Sequence, residues 1–201
     1  MTNRKEKKIN VRTITMTGLF GALSAVLMMF SFNVPLMPSF IKMDFSELPA
    51  LIAAFSMGPL SGVMVCLVKN LINLMFSTTG GVGEISNFIL GCAFVMPAGL
   101  VYKKNKNKKS AFVGALLGAV IMAVFSIFSN YFVVYPVYTM VMPMEAILGM
   151  YQAIYSGIDN LLEALIIFNM PFTFIKGMCS VLITFVIYKH ISPIIKGTNK
   201  Y

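Results

Sequence analysis

Lys176 stands in the stretch FNMPFTFIKG, residues 168–177, inside an apolar run from Leu161 to Tyr188 that is long enough to cross a membrane. An unpaired ionisable group at such a depth costs at least about 2.5 kcal/mol, so this lysine must face the interior of a helical bundle. Two kinds of chemistry suit it there. It can donate hydrogen bonds and charge to a bound molecule, which is the default for intramembrane charges, or it can pair with a carboxylate. Asn169 and Thr173 lie four residues apart and Lys176 three further on, so the three share one helical face. Pro171 lacks a backbone donor and is best tolerated near a helix start; the sequence therefore predicts that the true helix begins near Pro171 and that Lys176 lies close to one membrane surface.

Lys69 poses the same question in another apolar run. It is about seven residues, or roughly 10 Å, from that helix's end. Asp44 and Glu47 are the nearest carboxylates in chain order, and a structural ion pair between Lys69 and one of them is expected because a buried charge needs a partner. Asn130, in SNYFVVYP, offers an amide donor and acceptor suited to the edge of a heterocycle, beside Tyr131 and Tyr135. The tyrosine rings could stack on a planar ligand or simply form an interfacial girdle, the preferred role for Tyr135 and Tyr138. The glycines of TTGGVGE, residues 78–84, lack a following Gly-Lys-Ser/Thr, so this is no nucleotide-binding P-loop; it is a plain turn or a loop that lets backbone approach a ligand. Cys66, Cys92 and Cys179 fall singly in apolar segments, as packing residues do, without metal-ligand spacing. His190 has no partner in sequence and reads as a solvated flank. No Ser-His or Cys-His pairing, metal cluster or paired intramembrane carboxylates supports an enzyme.

The elements that position these groups are membrane helices. Of 201 residues, 58% are apolar and only 11% charged, against about 25% in a soluble domain. The net charge of +9 comes from short basic clusters beside apolar runs, the mark of cytoplasmic loops rather than of nucleic-acid binding. NRKEKKINVR precedes a first apolar stretch that is too long for a signal peptide and lacks its cleavage site, so it reads as a retained helix. The basic start, KKNKNKK at 103–109 and the basic end all belong inside. An all-α membrane domain over 1–201 satisfies these markers, with six spanning helices near residues 13–32, 45–57, 60–76, 84–102, 111–134 and 165–189 and both termini cytoplasmic. The second helix is short, so neighbours must shelter it or the bilayer must thin. Asp44, Glu47, Glu84, Glu145, Asp159 and Glu163 then all fall on or near the outer side, where the polar and irregular pieces also gather: the loop after the first helix, STTGGVGE and the long segment from Tyr135 to Asp159. The outer face is the expected place for a site. In the first helix, Gly18 and Ala22 are four apart, as are Gly21 and Ala25, a small-residue spacing that lets another helix approach.

FIKMDFSELPALIAAFSMGPLSGVMVCLVKNLINL, GEISNFILGCAFVMPAGLVYKK, SNYFVVYPVY and PFTFIKG followed by YKHISPIIK occur in this order, and together they closely resemble the riboflavin-specific substrate-binding subunit, or S component, of energy-coupling factor (ECF) transporters. The resemblance covers nearly the whole chain, is most specific in the block of the second and third helices, and is weakest over 137–167. It implies a multi-pass protein of a prokaryotic cell membrane that captures a vitamin outside and hands it inward, together with a transmembrane coupling protein and two cytoplasmic ATPases; the whole subunit is thought to topple in the membrane. It places the coupling-protein contact on Gly18 and Ala22, with glycine where the family more often has alanine. It carries the flavin contacts over to Asn130, Lys176 and Thr173, where the family commonly has asparagine. Threonine keeps one donor and an acceptor but loses the amide's second donor. With the candidates from the outer loops and aromatics added, the expected ligand positions are Phe40, Lys42, Gly81, Gly83, Asn87, Asn130, Tyr131, Thr173 and Lys176.

Riboflavin suits these residues as transported ligand rather than cofactor, and no metal is implied. Its imide groups would meet Asn130 and Lys176, its ring the aromatics, and its ribityl chain the outer loops. FMN is the nearest competitor, with Lys42 or Lys176 offsetting the outer carboxylates. Thr173 also keeps open a different vitamin such as thiamine or pantothenate. More remotely, the sequence admits a small intramembrane enzyme or a ligand-free interaction subunit.

Overall fold

The computed structural model describes residues 11–77, 80–140 and 142–196, with side chains through residue 188. The basic cluster Arg4, Lys5, Lys7 and Lys8, residues Thr78 and Thr79 and the side chain of His190 lie outside the described residues.

Helix α1 (Val11–Met29) leads into two short antiparallel strands, β1 (Phe32–Asn33) and β2 (Lys42–Met43), which pair Phe32 with Met43 and Asn33 with Lys42. Then come α2 (Glu47–Ser56), α3 (Pro59–Leu74), α4 (Val82–Lys104) and α5 (Lys108–Ser129). The chain continues through a π-helical turn (Asn130–Val134), the single turn α6 (Tyr135–Tyr138), α7 (Met144–Gln152), the turn α8 (Leu161–Ala164), a second π-helical turn (Leu165–Asn169) and the long α9 (Met170–Lys196).

Among the described residues, four helical stretches are long and apolar enough to cross a membrane: Val11–Met29, Val82–Lys104, Lys108–Tyr138 and Leu161–Tyr188. Helices α2 and α3 are apolar but shorter. The short α2 is buried at every position from Glu47 to Phe55. A helix apolar all round is stable only when surrounded, and α1, α3, α4 and α9 pack around it. Its ten residues rise about 15 Å, half of a hydrocarbon core, so α2 is a central peg sheltered by longer helices. Leucine, valine and phenylalanine on the outer faces of α1, α4, α5 and α9 are exposed, as suits a lipid-facing surface.

Local sequence explains the breaks. Pro59 opens α3 behind Gly58, whose φ of 111° turns the chain, and Asn107 caps α5 by accepting a hydrogen bond from the Ser110 N–H at 2.8 Å. The two π-helical turns share one design. The N–H of Tyr135 bonds the carbonyl of Asn130, and that of Met170 bonds the carbonyl of Leu165, five residues back in each case. The next residue is a proline both times, Pro136 and Pro171, and a proline has no N–H for the ordinary ladder. Widening the turn just before it absorbs the missing bond without ending the helix.

This corrects two expectations. The last helix does not begin at Pro171: it starts at Leu161 and runs through the proline, so Lys176 is roughly 22 Å along it, deeper than expected. The stretch from Tyr135 to Asp159 is not wholly irregular either, since α7 occupies its middle and buries Ile147 and Tyr151, four residues apart.

Candidate ligand-binding site

The two π-helical turns face each other across a cavity of about 200 Å³. Asn130, Val134 and Tyr135 line it from the first turn and its exit, Asn169 from the second and Thr173 from the start of α9, Gly83, Ser86, Asn87 and Leu90 from the start of α4, and Phe40, Ile41 and Lys42 from the approach to β2 and its first residue. A π turn adds one residue to a helical revolution and splays its side chains, and here it presents an asparagine on each side.

The aromatic wall is edge-on. Phe40 meets Tyr135, Tyr138 and Tyr151 with ring centroids 6.2, 6.3 and 5.9 Å away, all near perpendicular, the arrangement favoured by ring quadrupoles. Behind it, three polar groups close a ring. The Tyr151 hydroxyl donates to Asn169 Oδ1 at 2.7 Å, Asn169 Nδ2 donates to the Tyr135 hydroxyl at 3.3 Å, and the two tyrosine hydroxyls bond each other. Because the Tyr151 proton is committed to Asn169, Tyr135 is the donor in the last bond. This ring pins α7 to both π-helical turns. Burial pushes the pKa of the Tyr151 hydroxyl well above the usual phenol value, and the neighbouring Tyr135 pushes it further, so it stays protonated and keeps donating. The Ser86 and Ser129 hydroxyls, 2.7 Å apart, join α4 to α5 beside the cavity.

One polar atom at the cavity is left over. Asn87 Oδ1 is buried and takes no hydrogen bond. A buried unsatisfied acceptor costs about 1–3 kcal/mol, so it marks a place where a ligand N–H or O–H would be welcome.

Next to the cavity, one helical turn past Thr173, lies a buried charge network. Lys176 Nζ is 2.7 Å from Asp44 Oδ2 and 3.6 Å from Glu47 Oε2. Lys69 Nζ donates to Glu47 Oε1 at 2.9 Å and to Ser46 Oγ at 2.7 Å, and its side chain is 0% exposed. The Ser46 N–H donates to Asp44 Oδ1 at 2.9 Å, and the Ser24 hydroxyl donates to the Ser46 carbonyl. Two cations and two anions balance, and α1, α3 and α9 are tied to the start of α2. Burial works to raise the Asp44 carboxyl, but the charges of Lys176 and Lys69 and the hydrogen bonds from Lys176 and Ser46 outweigh it and hold it at about 2.

Of the nine expected ligand positions, Phe40, Lys42, Gly83, Asn87, Asn130 and Thr173 line the cavity. Three do not. Tyr131 points outward, 41% exposed with its ring against Phe132, because it occupies the outer side of the turn that directs Asn130 inward. Gly81 caps α4 with a φ of 91°, a backbone role. Lys176 is engaged by Asp44, a carboxylate 132 residues away in the chain, which is the second of the two roles that its burial allows. Lys69 takes Glu47 as its direct partner, and Asp44 goes to Lys176. Asn169, Tyr135 and Tyr138 join the cavity wall beyond the expected set; the spacing of Asn169 to Thr173 already places Asn169 on that face. On α1, Gly21 and Ala25 are buried, whereas Gly18 and Ala22 lie on the exposed face.

Residues 12–188 match the model of the family described as ECF transporter, substrate-specific component. The chain belongs to this family. It is 32% identical over 188 residues to the riboflavin transporter RibU of Staphylococcus aureus, covering 93% of each chain. It is 28% identical to the riboflavin transporter FmnP of Bacillus subtilis, covering 92% of this chain and 94% of that one. A solved S component of a bacterial ECF transporter superposes with a TM-score of 0.72 at 29% identity, over 92% of this chain and 98% of the other. These relatives are named as transporters and not as enzymes, and the chain is a prokaryotic membrane protein of the transporter class.

Proposed function

We propose that this S component binds riboflavin in the cavity between the two π-helical turns, as the high-affinity capture subunit of an ECF-type vitamin importer. The observation that carries the reading is the orphaned Asn87 Oδ1 in a cavity shared with Asn130, Asn169 and Thr173. A flavin's imide edge presents an N–H between two carbonyls, the complement of an acceptor flanked by amide donors. The edge-on rings of Phe40, Tyr135 and Tyr138 supply the apolar wall for its ring system. The names of the two bacterial relatives point to the same ligand. Riboflavin is cargo here, not a resident cofactor.

In this reading the cavity end faces outside and the lysine-rich α4–α5 turn faces the cytoplasm, with six crossings and both termini inside. The exposed Gly18 and Ala22 face of α1 receives the transmembrane coupling protein, which with two ATPases drives inward delivery. Lys176 holds the floor of the site through Asp44 and Glu47.

Purified protein titrated with riboflavin should quench flavin fluorescence with sub-micromolar affinity, and Asn130→Ala should weaken binding at least about tenfold, the cost of a lost hydrogen bond to a desolvated ligand. No binding at micromolar riboflavin would sink the proposal. FMN is the competitor favoured by Lys42, an exposed cation at the cavity; tighter binding of FMN than of riboflavin would reassign the ligand.

A further inference from the structure

A second cavity, of about 380 Å³, opens at the opposite end of the bundle. Its walls are aromatic: Phe55 from the last turn of α2, Tyr102 from α4, and Phe185 and Tyr188 from α9. The ring of Phe55 lies 5.1 Å from that of Tyr102 and 6.2 Å from that of Tyr188. Two hydroxyl oxygens at this cavity, Thr184 Oγ1 and Tyr188 Oη, are buried and have no hydrogen-bond partner. Thr184 is 1% exposed. A helical threonine ordinarily donates back to the carbonyl one turn earlier, so a free hydroxyl here needs a reason. The α4–α5 turn contributes Lys106, Asn107 and Lys108 to the same cavity. None of the ion pairs among the described residues involves these lysines. Lys108 also begins the 22-residue helix α5, whose free N–H groups favour an anion.

An apolar chamber, two buried hydroxyls and a cationic rim are stacked where two spanning helices end. In a bilayer that level is where acyl chains meet ester groups and then phosphates. We propose that this cavity is a binding site for one anionic phospholipid: an acyl chain lies among Phe55, Tyr102, Phe185 and Tyr188, an ester carbonyl accepts from Thr184 and Tyr188, and the headgroup phosphate sits between Lys106 and Lys108. Basic pockets between membrane helices are a general form of headgroup recognition. The surplus of lysine, with no carboxylate in the 103–109 turn, selects an anionic over a zwitterionic lipid. The site is separate from the flavin cavity and does not rest on which ligand that cavity takes.

Native mass spectrometry of the delipidated, detergent-purified full chain tests this, with phosphatidylglycerol and phosphatidylcholine offered in equal amounts. One phosphatidylglycerol adduct should dominate. Each lysine near such a surface is worth about fivefold, so Lys106→Gln with Lys108→Gln should weaken the adduct about thirtyfold. Tyr188→Phe, which changes no charge, should weaken it severalfold. Lys103→Gln with Lys104→Gln, exposed and outside the cavity wall, should leave it within about twofold. Equal retention of the two lipids, or an equal loss from the 103/104 pair, would overturn the proposal in favour of diffuse surface attraction. Inorganic phosphate alone raising the melting temperature as much as phosphatidylglycerol would also overturn it, in favour of a plain anion site.

Discussion

Replacing Lys69 by methionine tests the charge network most directly. Its ammonium is 2.9 Å from Glu47 Oε1 and the side chain is fully buried. Methionine keeps most of the side-chain volume, so packing changes little, but two carboxylates are then left with one cation. That cation, Lys176, is already 2.7 Å from Asp44 and only 3.6 Å from Glu47. Removing one member of a buried pair costs about 3–5 kcal/mol because the other remains desolvated. For a chain of this size each kcal/mol is about 2–4 °C, so Lys69→Met should melt about 6–20 °C lower. Adding Glu47→Gln restores neutrality and should recover most of the loss. The chain has no tryptophan but three cysteines, and Cys66 is 0% exposed, so a thiol-reactive fluorogenic dye reports unfolding against the baseline of the half-buried Cys92 and Cys179. A single variant melting within about 3 °C of the parent, or a double variant no better than the single, would refute the reasoning.

Asn87→Leu removes the orphaned acceptor, so the ligand-free protein should keep or gain melting temperature while riboflavin affinity in a fluorescence titration falls at least about tenfold. Gly118→Ala would put a Cβ 2.2 Å from the backbone carbonyl oxygen of Phe94, forcing α5 away from α4; a loss of about 1–3 kcal/mol is expected in the same dye assay. The Asp44 carboxyl, lowered from 3.8 to about 2, binds fewer protons folded than unfolded between those values. Its contribution is full above about pH 4 and declines toward pH 2 by about 2 kcal/mol, and Asp44→Asn should flatten melting temperature against pH in that window.

The helical bundle was legible because lipid imposes simple rules: long apolar runs, lysine-rich turns and acidic residues gathered at the other end. Lys69 and Glu47 could be paired on the same logic, being close in chain order. Lys176 was harder, since its partner lies 132 residues away and nothing in FNMPFTFIKG distinguishes a lysine held by a carboxylate from one offered to a ligand. Pro171 misled for a physical reason: a missing N–H ends a helix only if no wider turn absorbs it, and the sequence does not announce such a turn. Helix α7 was hidden by its polar surroundings, although the spacing of Ile147 and Tyr151 carried its signal. Tyr131 and Asn130 are adjacent, and only the turn they share decides which one faces in.

The turn at Leu165–Asn169 has one further consequence, for angular phase. Successive residues of an α-helix are separated by about 100°, so one additional residue in a revolution resets the orientation of everything beyond it. Upstream, Leu165 is buried toward α7; downstream, Thr173 must meet the cavity and Lys176 must meet Asp44. Deleting one residue within 165–169 would let the helix regularise, yet it would swing either the tyrosine-facing end or the aspartate-facing end by about a quarter turn. The two halves of this long helix thus answer to different neighbours, and the wide turn is the gearing that lets a single rod serve both.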